Sequence, residues 1–255
     1  MAHDTADSML DLQPVELEMY DGELFDMAHE IGKKYLFSEQ YLDRKMGTVM
    51  YMSFNDISNH NRNRKLKQAL KKLSKLDTTV YTSLDYPVDD LHIIHDVESA
   101  ILYTNTKADS RPSILEGVSI PSNRREEFIT SVSELAEKHH IKLPLHFEWI
   151  NGIVHARPTL NLHIVSDKQK SFKLISDYIE IVIRYSGSMS ANSGEGRLRT
   201  VASYAQLDED EIDVYAQIRT AFDPFGTLNP GVKQVNDLKT LVSHLNPDYN
   251  PADFA

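Results

Sequence analysis

Residues 222–231, Phe-Asp-Pro-Phe-Gly-Thr-Leu-Asn-Pro-Gly, oblige the chain to turn twice in quick succession. A helical pattern over residues 208–222 runs into this segment. Asp223-Pro224 stops it, because proline has no N–H to offer and its ring clashes with the preceding turn. Gly226 permits a backbone that other residues resist, and Asn229-Pro230-Gly231 sets a second tight turn. Whatever fold this sequence adopts, its last long helix must exit into a compact, irregular segment.

The 255 residues are long for one domain but usual for a large α+β unit, and 41% hydrophobic content is enough to build a core. The longest apolar stretches, such as residues 179–183, are too short to cross a bilayer. Residues 1–13 are acidic and polar, unlike a secretory leader. The sequence has no cysteine, which excludes disulfides, thiolate metal sites, iron–sulfur clusters and cysteine nucleophiles, and which fits a cytoplasmic protein. A net charge of -11 argues against nucleic acid as a partner. The one basic stretch, residues 62–75, carries Leu66, Ala69, Leu70, Leu73 and Leu76 at helical spacing, so its lysines read as a solvated outer face.

Periodicity predicts helices over residues 24–35, 62–75, 89–103, 171–185 and 208–222, and one after Ser122, its candidate N-cap, with Phe128, Val132, Leu135 and Ala136 on one face. Strands are expected at 49–54, 78–82, 114–120, 143–149, 153–162 and 188–190. Asn151-Gly152 is a strong hairpin signal between two of them. The order suggests an α+β fold with an antiparallel or mixed sheet, helices on one side and duplicated ferredoxin-like β-α-β units. Without a Gly/Ser-rich linker, residues 1–233 read as one domain and 234–255 as a loosely ordered tail.

Several segments carry a resemblance. F-D-P-x-G-x-L-N-P-G at 222–231 resembles the closing signature of FAD-linked oxidases of the vanillyl-alcohol-oxidase type, in their C-terminal domain. In order along the chain, residues 14–21 are similar to that family's P-x-x-L-E-x-x-D entry segment. Residues 114–121 resemble its E-D-x-x-V-P strand, with Gly117 where Asp is usual. Residues 148–158, EWINGIVHARP, resemble H-x-x-x-G-x-L-H-x-R-P, and 190–197, SANSGEGR, resemble S-G-E-H-G-x-G-R. The form is nearest the D-lactate-dehydrogenase-like and glycolate-oxidase-like members.

The resemblance implies a cap or substrate domain of an FAD-dependent oxidoreductase acting on a small 2-hydroxy acid. FAD would be held by a flavin-binding domain in cis or in trans, since the 10 glycines form no phosphate-cradling cluster before residue 187. It also implies a divalent-metal cluster whose positions here are Glu148, His155 and Asn192, with Ser193 at the general-base position. Only His155 keeps the family's residue type. Asn192 is a weak neutral donor and Ser193 has no pKa suited to base work near neutrality, so the metal site is degenerate.

The candidate catalytic residues are therefore His155, Arg157 and Ser193, and the candidate cofactor contacts Gly194, Arg197 and Asn229. Arg157, two residues after His155 on one strand, offers a guanidinium that could fork onto a substrate carboxylate or form a structural ion pair. The loops around 148–157, 192–197 and 227–232 are expected to share one side, to be covered by a partner or by self-association. The alternative is a non-catalytic interaction or regulatory module that retains the fold.

Overall fold

The computed structural model describes residues 2–41, 45–102, 110–192 and 194–234, with Asp237, Lys239 and Leu245. Most of 234–255 therefore lies outside the described residues. In chain order the elements are α1 (Ala2–Leu10), β1 (Glu16–Asp21), α2 (Gly22–Glu30), β2 (Thr48–Ser53), α3 (Asn59–Leu73), α4 (Val88–His92) and α5 (Val97–Leu102). There follow β3 (Leu115–Ser119), α6 (Arg125–His139), β4 (Leu145–Glu148), β5 (Ile153–Ala156), α7 (Val165–Arg184), α8 (Thr200–Tyr204) and α9 (Glu209–Phe222). Two compact units result, 1–104 with 144–152, and 105–143 with 153–255.

The strands pair antiparallel throughout, in the order β2-β1-β4 in the first unit and β5-β3 in the second. In β1, Leu17 and Met19 are buried on one face while Glu16, Glu18 and Tyr20 alternate onto the other. Asp21 binds the Leu145 amide at 2.8 Å, which ties β1 to the start of β4. Tyr20, Leu24, Phe25, Met27, Tyr35, Phe37, Ile94, Val97 and Ile101 form the core of this unit. Phe25 meets Tyr35 and Phe37 edge-on at 5.0 Å, a favoured aromatic geometry. In the second unit the apolar stripe of α7 (Leu174, Ile175, Tyr178, Val182) and that of α6 (Phe128, Val132, Leu135) are buried. Phe128 meets Tyr178 at 6.1 Å.

The α+β, antiparallel expectation holds; the described residues do not establish the duplicated ferredoxin-like units. Residues 78–82 form no strand despite their Thr, Val and Tyr, and β2 pairs with β1 instead. The helix expected over 89–103 breaks into α4, a 3-10 turn and α5 up to residue 102; residue 103 lies outside the described residues. Ser122 opens a 3-10 turn rather than capping α6, whose first residue follows Arg124. Residues 188–190 contribute only an isolated bridge between Ser188 and Ser119. The acidic start of the chain is a helix, α1, with Ala6 and Met9 buried; Asp7 accepts from the Trp149 indole at 2.8 Å and His3 stacks on its ring at 5.5 Å. Helix α3 buries only Ala69, as a solvated basic helix should. Among the described residues no helix is long and apolar enough to cross a membrane.

Candidate functional site

In the second unit the recognisable segments converge on one irregularity. Leu115 pairs with Ala156, but Val118 pairs with Val154, so β3 carries one extra residue. Gly117 sits in this bulge at φ 71°, where a Cβ would come within 2.7 Å of the Asn192 carbonyl oxygen. The bulge turns backbone carbonyls out of the ladder. Gly117 O accepts from the amides of Ala191 (2.9 Å) and Asn192 (3.3 Å), and Glu116 O accepts from Arg199 Nη1 at 2.8 Å. Buried Arg199 also donates to the carbonyls of Asn192 at 3.1 Å and Gly194 at 2.6 Å. One guanidinium thus fixes the whole 192–199 loop against β3.

His155 lies half-buried on β5 and Arg157 just past its end, buried. Arg157 forms an ion pair with the Glu116 carboxylate and reaches Ser113 Oγ at 3.4 Å. Asn192 is half-buried and Gly194 exposed, each held by its carbonyl; Ser193 lies outside the described residues. Arg197 donates from Nε and Nη2 to Pro230 O at 3.1 and 2.9 Å. It thereby clasps the turn containing Asn229, which is itself left-handed at φ 44°. Asn192, Gly194, Arg197 and Asn229 are thus linked through one loop and one turn.

The turn is secured further. Asp223 accepts from the amides of Thr227 and Leu228 at 2.9 and 2.8 Å, and these bonds hold its carboxyl below the usual range. Arg219 donates to the carbonyls of Leu228 and Val232, and Tyr204 donates to that of Lys233 at 2.7 Å. Lys233 Nζ then meets Glu195 at 2.9 Å. Burial pushes the Glu195 carboxyl up, but hydrogen bonds from Ser190 and Lys233 prevail and lower it. These groups line a polar cavity of about 420 Å³ with Thr200 and Tyr215. Sequence reasoning missed Glu195 and Lys233, whose pairing spans 38 residues.

Glu148, the remaining position of the expected cluster, ends β4 in the first unit, where Asn151 donates to its carboxylate at 3.1 Å. A shallow hollow of about 210 Å³ is bordered there by Glu16, Glu18, Glu148 and Asn151. Beside it lies a set of ionisable groups of which the resembling segments marked only Glu18, the Glu of P-x-x-L-E-x-x-D. Glu18 accepts from the Tyr20 hydroxyl and faces His95 Nδ1 at 3.1 Å and His146 Nε2 at 3.2 Å. His146 stacks on Tyr20 at 4.1 Å and reaches Glu98 at 3.5 Å. Burial opposes charge on both Glu18 and His146, yet their mutual bonds win: Glu18 is held well below the carboxylate range and His146 rises to about 9. Burial and the neighbouring Glu18 push the Tyr20 hydroxyl up, so it remains a donor.

The glycines of the second unit occupy the bulge at 117 and separate turns at 187, 194–196, 226 and 231, not a cradle for a pyrophosphate.

Residues 2–232 match the family described as FAD linked oxidases, C-terminal domain. A D-2-hydroxyglutarate dehydrogenase of Haemophilus influenzae is 22% identical over 94% of this chain and 25% of its own length. The glycolate oxidase subunit GlcD of Bacillus subtilis is 22% identical over 51% of this chain and 28% of its own. The chain thus spans about a quarter of the length of these relatives. A solved 4-ethylphenol oxidase from Gulosibacter chungangensis, in an isoeugenol complex, shares the fold with TM-score 0.60 and 11% identity, over 94% of this chain and 53% of that one.

Proposed function

Because the chain belongs to the family of C-terminal domains of FAD-linked oxidases, a family that implies FAD held mainly by an N-terminal domain, we propose that it is the cap and substrate domain of an oxidoreductase acting on a small 2-hydroxy acid. The flavin-binding domain would be supplied in cis or in trans. The carrying observation is the surface beside the signature. Val214, Ile218 and Phe222 recur every four residues along α9 and stay exposed, and Phe225 and Leu228 continue the patch, Phe225 at 89% exposure. Helix α9 buries no residue at all. An apolar surface of this kind, next to a turn held by Arg197, Tyr204, Arg219 and Asp223, suits a domain whose partner covers it. The sequences of the 2-hydroxy-acid relatives support the substrate class.

When bound, FAD supplies the hydride acceptor for C2 of the substrate. His155 would take the hydroxyl proton, and Arg197, whose bonds to Pro230 leave Nη1 uncommitted by them, would border the cofactor. The test is reconstitution. The chain is mixed with the FAD-loaded flavin-binding half of a D-2-hydroxyglutarate dehydrogenase, and flavin bleaching is followed anaerobically with D-2-hydroxyglutarate, D-lactate and glycolate. Bleaching by one of them, lost in His155→Ala, is expected. Stable association without bleaching by any would replace this reading with the second one, a non-catalytic module. That second reading draws on the burial of Arg157 against Glu116, where an ion pair already engages the guanidinium.

A further inference from the structure

We propose that Glu16, His92 and His95, all in the first unit, form a binding site for a divalent first-row transition-metal ion of the zinc class. This site is separate in its residues from the degenerate cluster at 148, 155 and 192, and it does not depend on a flavin partner.

Two imidazoles and a carboxylate are the ligand set that suits such ions, and they need no thiolate. One ligand atom from each of the three side chains lies within 4.8 Å of the others. Bonds of about 2.1 Å to a tetrahedral ion require separations of roughly 3.4 Å, within the reach of side-chain rotation. The backbone explains the convergence. His92 ends α4 and a 3-10 turn, Ile93–Asp96, follows; three residues per turn bring positions 92 and 95 onto the same side. Their rings lie 4.3 Å apart, and Tyr51 of β2 packs edge-on against both, at 6.0 Å from His92 and 4.6 Å from His95. Glu16 comes from β1, two residues before Glu18 and on the same face.

The orientation of His95 carries the argument furthest. Its Nδ1 faces the Glu18 carboxylate at 3.1 Å and the Tyr20 hydroxyl at 3.2 Å. Its Nε2 is buried and meets no hydrogen-bond partner among the described residues. A carboxylate on one imidazole nitrogen fixes the tautomer that leaves the other nitrogen's lone pair free, which is the arrangement found behind metal-bound histidines. A buried nitrogen without a partner is costly, and a cation accepts that lone pair. Glu18 is on this view a positioning residue, not a ligand. Glu16 also borders the shallow hollow beside β1, which leaves room for water or a substrate oxygen in a fourth position.

The full chain, stripped with EDTA and dialysed, is titrated with Zn²⁺ by equilibrium dialysis with elemental analysis, and with Co²⁺ by visible absorption. One equivalent of Zn²⁺ and tetrahedral-type Co²⁺ bands are expected. His92→Ala and His95→Gln should each weaken Zn²⁺ binding at least tenfold. Glu18→Gln should weaken it by roughly 10- to 100-fold and shift the Co²⁺ bands, as loss of an orienting partner does. His155→Ala should bind as the parent does. His92 is exposed, so its replacement leaves the fold intact, which circular dichroism checks. No bound metal in the parent, undiminished binding in His92→Ala, or loss of binding in His155→Ala would each overturn the proposal.

Discussion

The two units spend their polar side chains differently. In the first, one cluster of side chains binds itself: Glu18, Tyr20, His95, His146 and Glu98 form a set in which carboxylates face imidazoles. In the second, three arginines bind the backbone: Arg197, Arg199 and Arg219 direct their donors at the carbonyls of Glu116, Asn192, Gly194, Leu228, Pro230 and Val232. The first arrangement fixes the chemistry of a few groups and leaves the chain around them regular. The second fixes irregular chain. Loops that must hold one shape without strands or helices need donors that can span several carbonyls, and a planar guanidinium provides them.

The strongest test of this contrast is Arg199→Ala, which leaves three carbonyls without a charged donor. Destabilisation by about 3–5 kcal/mol is expected in urea unfolding, with Arg199→Lys recovering little, because one ammonium cannot span all three. An effect under about 1 kcal/mol would show that the loop holds itself. Gly117→Ala comes next, at about 2–3 kcal/mol, since it combines a left-handed backbone with a clash against the Asn192 carbonyl and the Arg199 guanidinium. Glu18→Gln should cost less, about 1–2 kcal/mol, because the amide oxygen still accepts from its neighbours.

Acid titration sharpens the comparison further. The lowered carboxyl of Glu195 contributes stability that is present above its ordinary value of 4.5 and is lost as pH falls through the folded value. The melting-temperature gap between parent and Glu195→Gln should therefore narrow as pH is taken from 6 to 3, and a constant gap would show that the carboxylate's charge is not involved. The smallest stability effect belongs to Phe225→Ser. It should stay within about 0.5 kcal/mol. Yet it should weaken association with a flavin-binding partner about tenfold or more in light scattering or calorimetry, if the exposed patch is the contact.

Much of this was legible in the sequence, and the exceptions share a cause. The helix exit after Phe222, the Asn151-Gly152 turn with Gly152 at φ 69°, and the segments around Gly117 and 190–197 are local signals, and each proved to mark a real irregularity. The capping box of Asp208 with Glu211 is likewise a local pattern. What failed depends on distant partners. Thr78–Thr82 has the composition of a strand, but composition cannot supply a neighbour to pair with. His92 and His95 lie only three residues apart, while their third companion, Glu16, lies on a strand far earlier in the chain. Glu195 and Lys233 were invisible as a pair for the same reason. The motifs marked the irregular segments of the second unit; only the fold reveals which arginines those segments consume.

The clasp on residues 228–233 is made almost entirely to main-chain oxygen, which every amino acid carries. Leu228, Val232 and their neighbours can therefore be exchanged with little loss of the clasp, provided that the turn at Asn229-Pro230-Gly231 survives. Such a segment separates the task of keeping its shape from the task of choosing what it touches. Selection can rewrite its outward side chains one at a time, to suit a new partner surface or a new substrate, without renegotiating the architecture beneath.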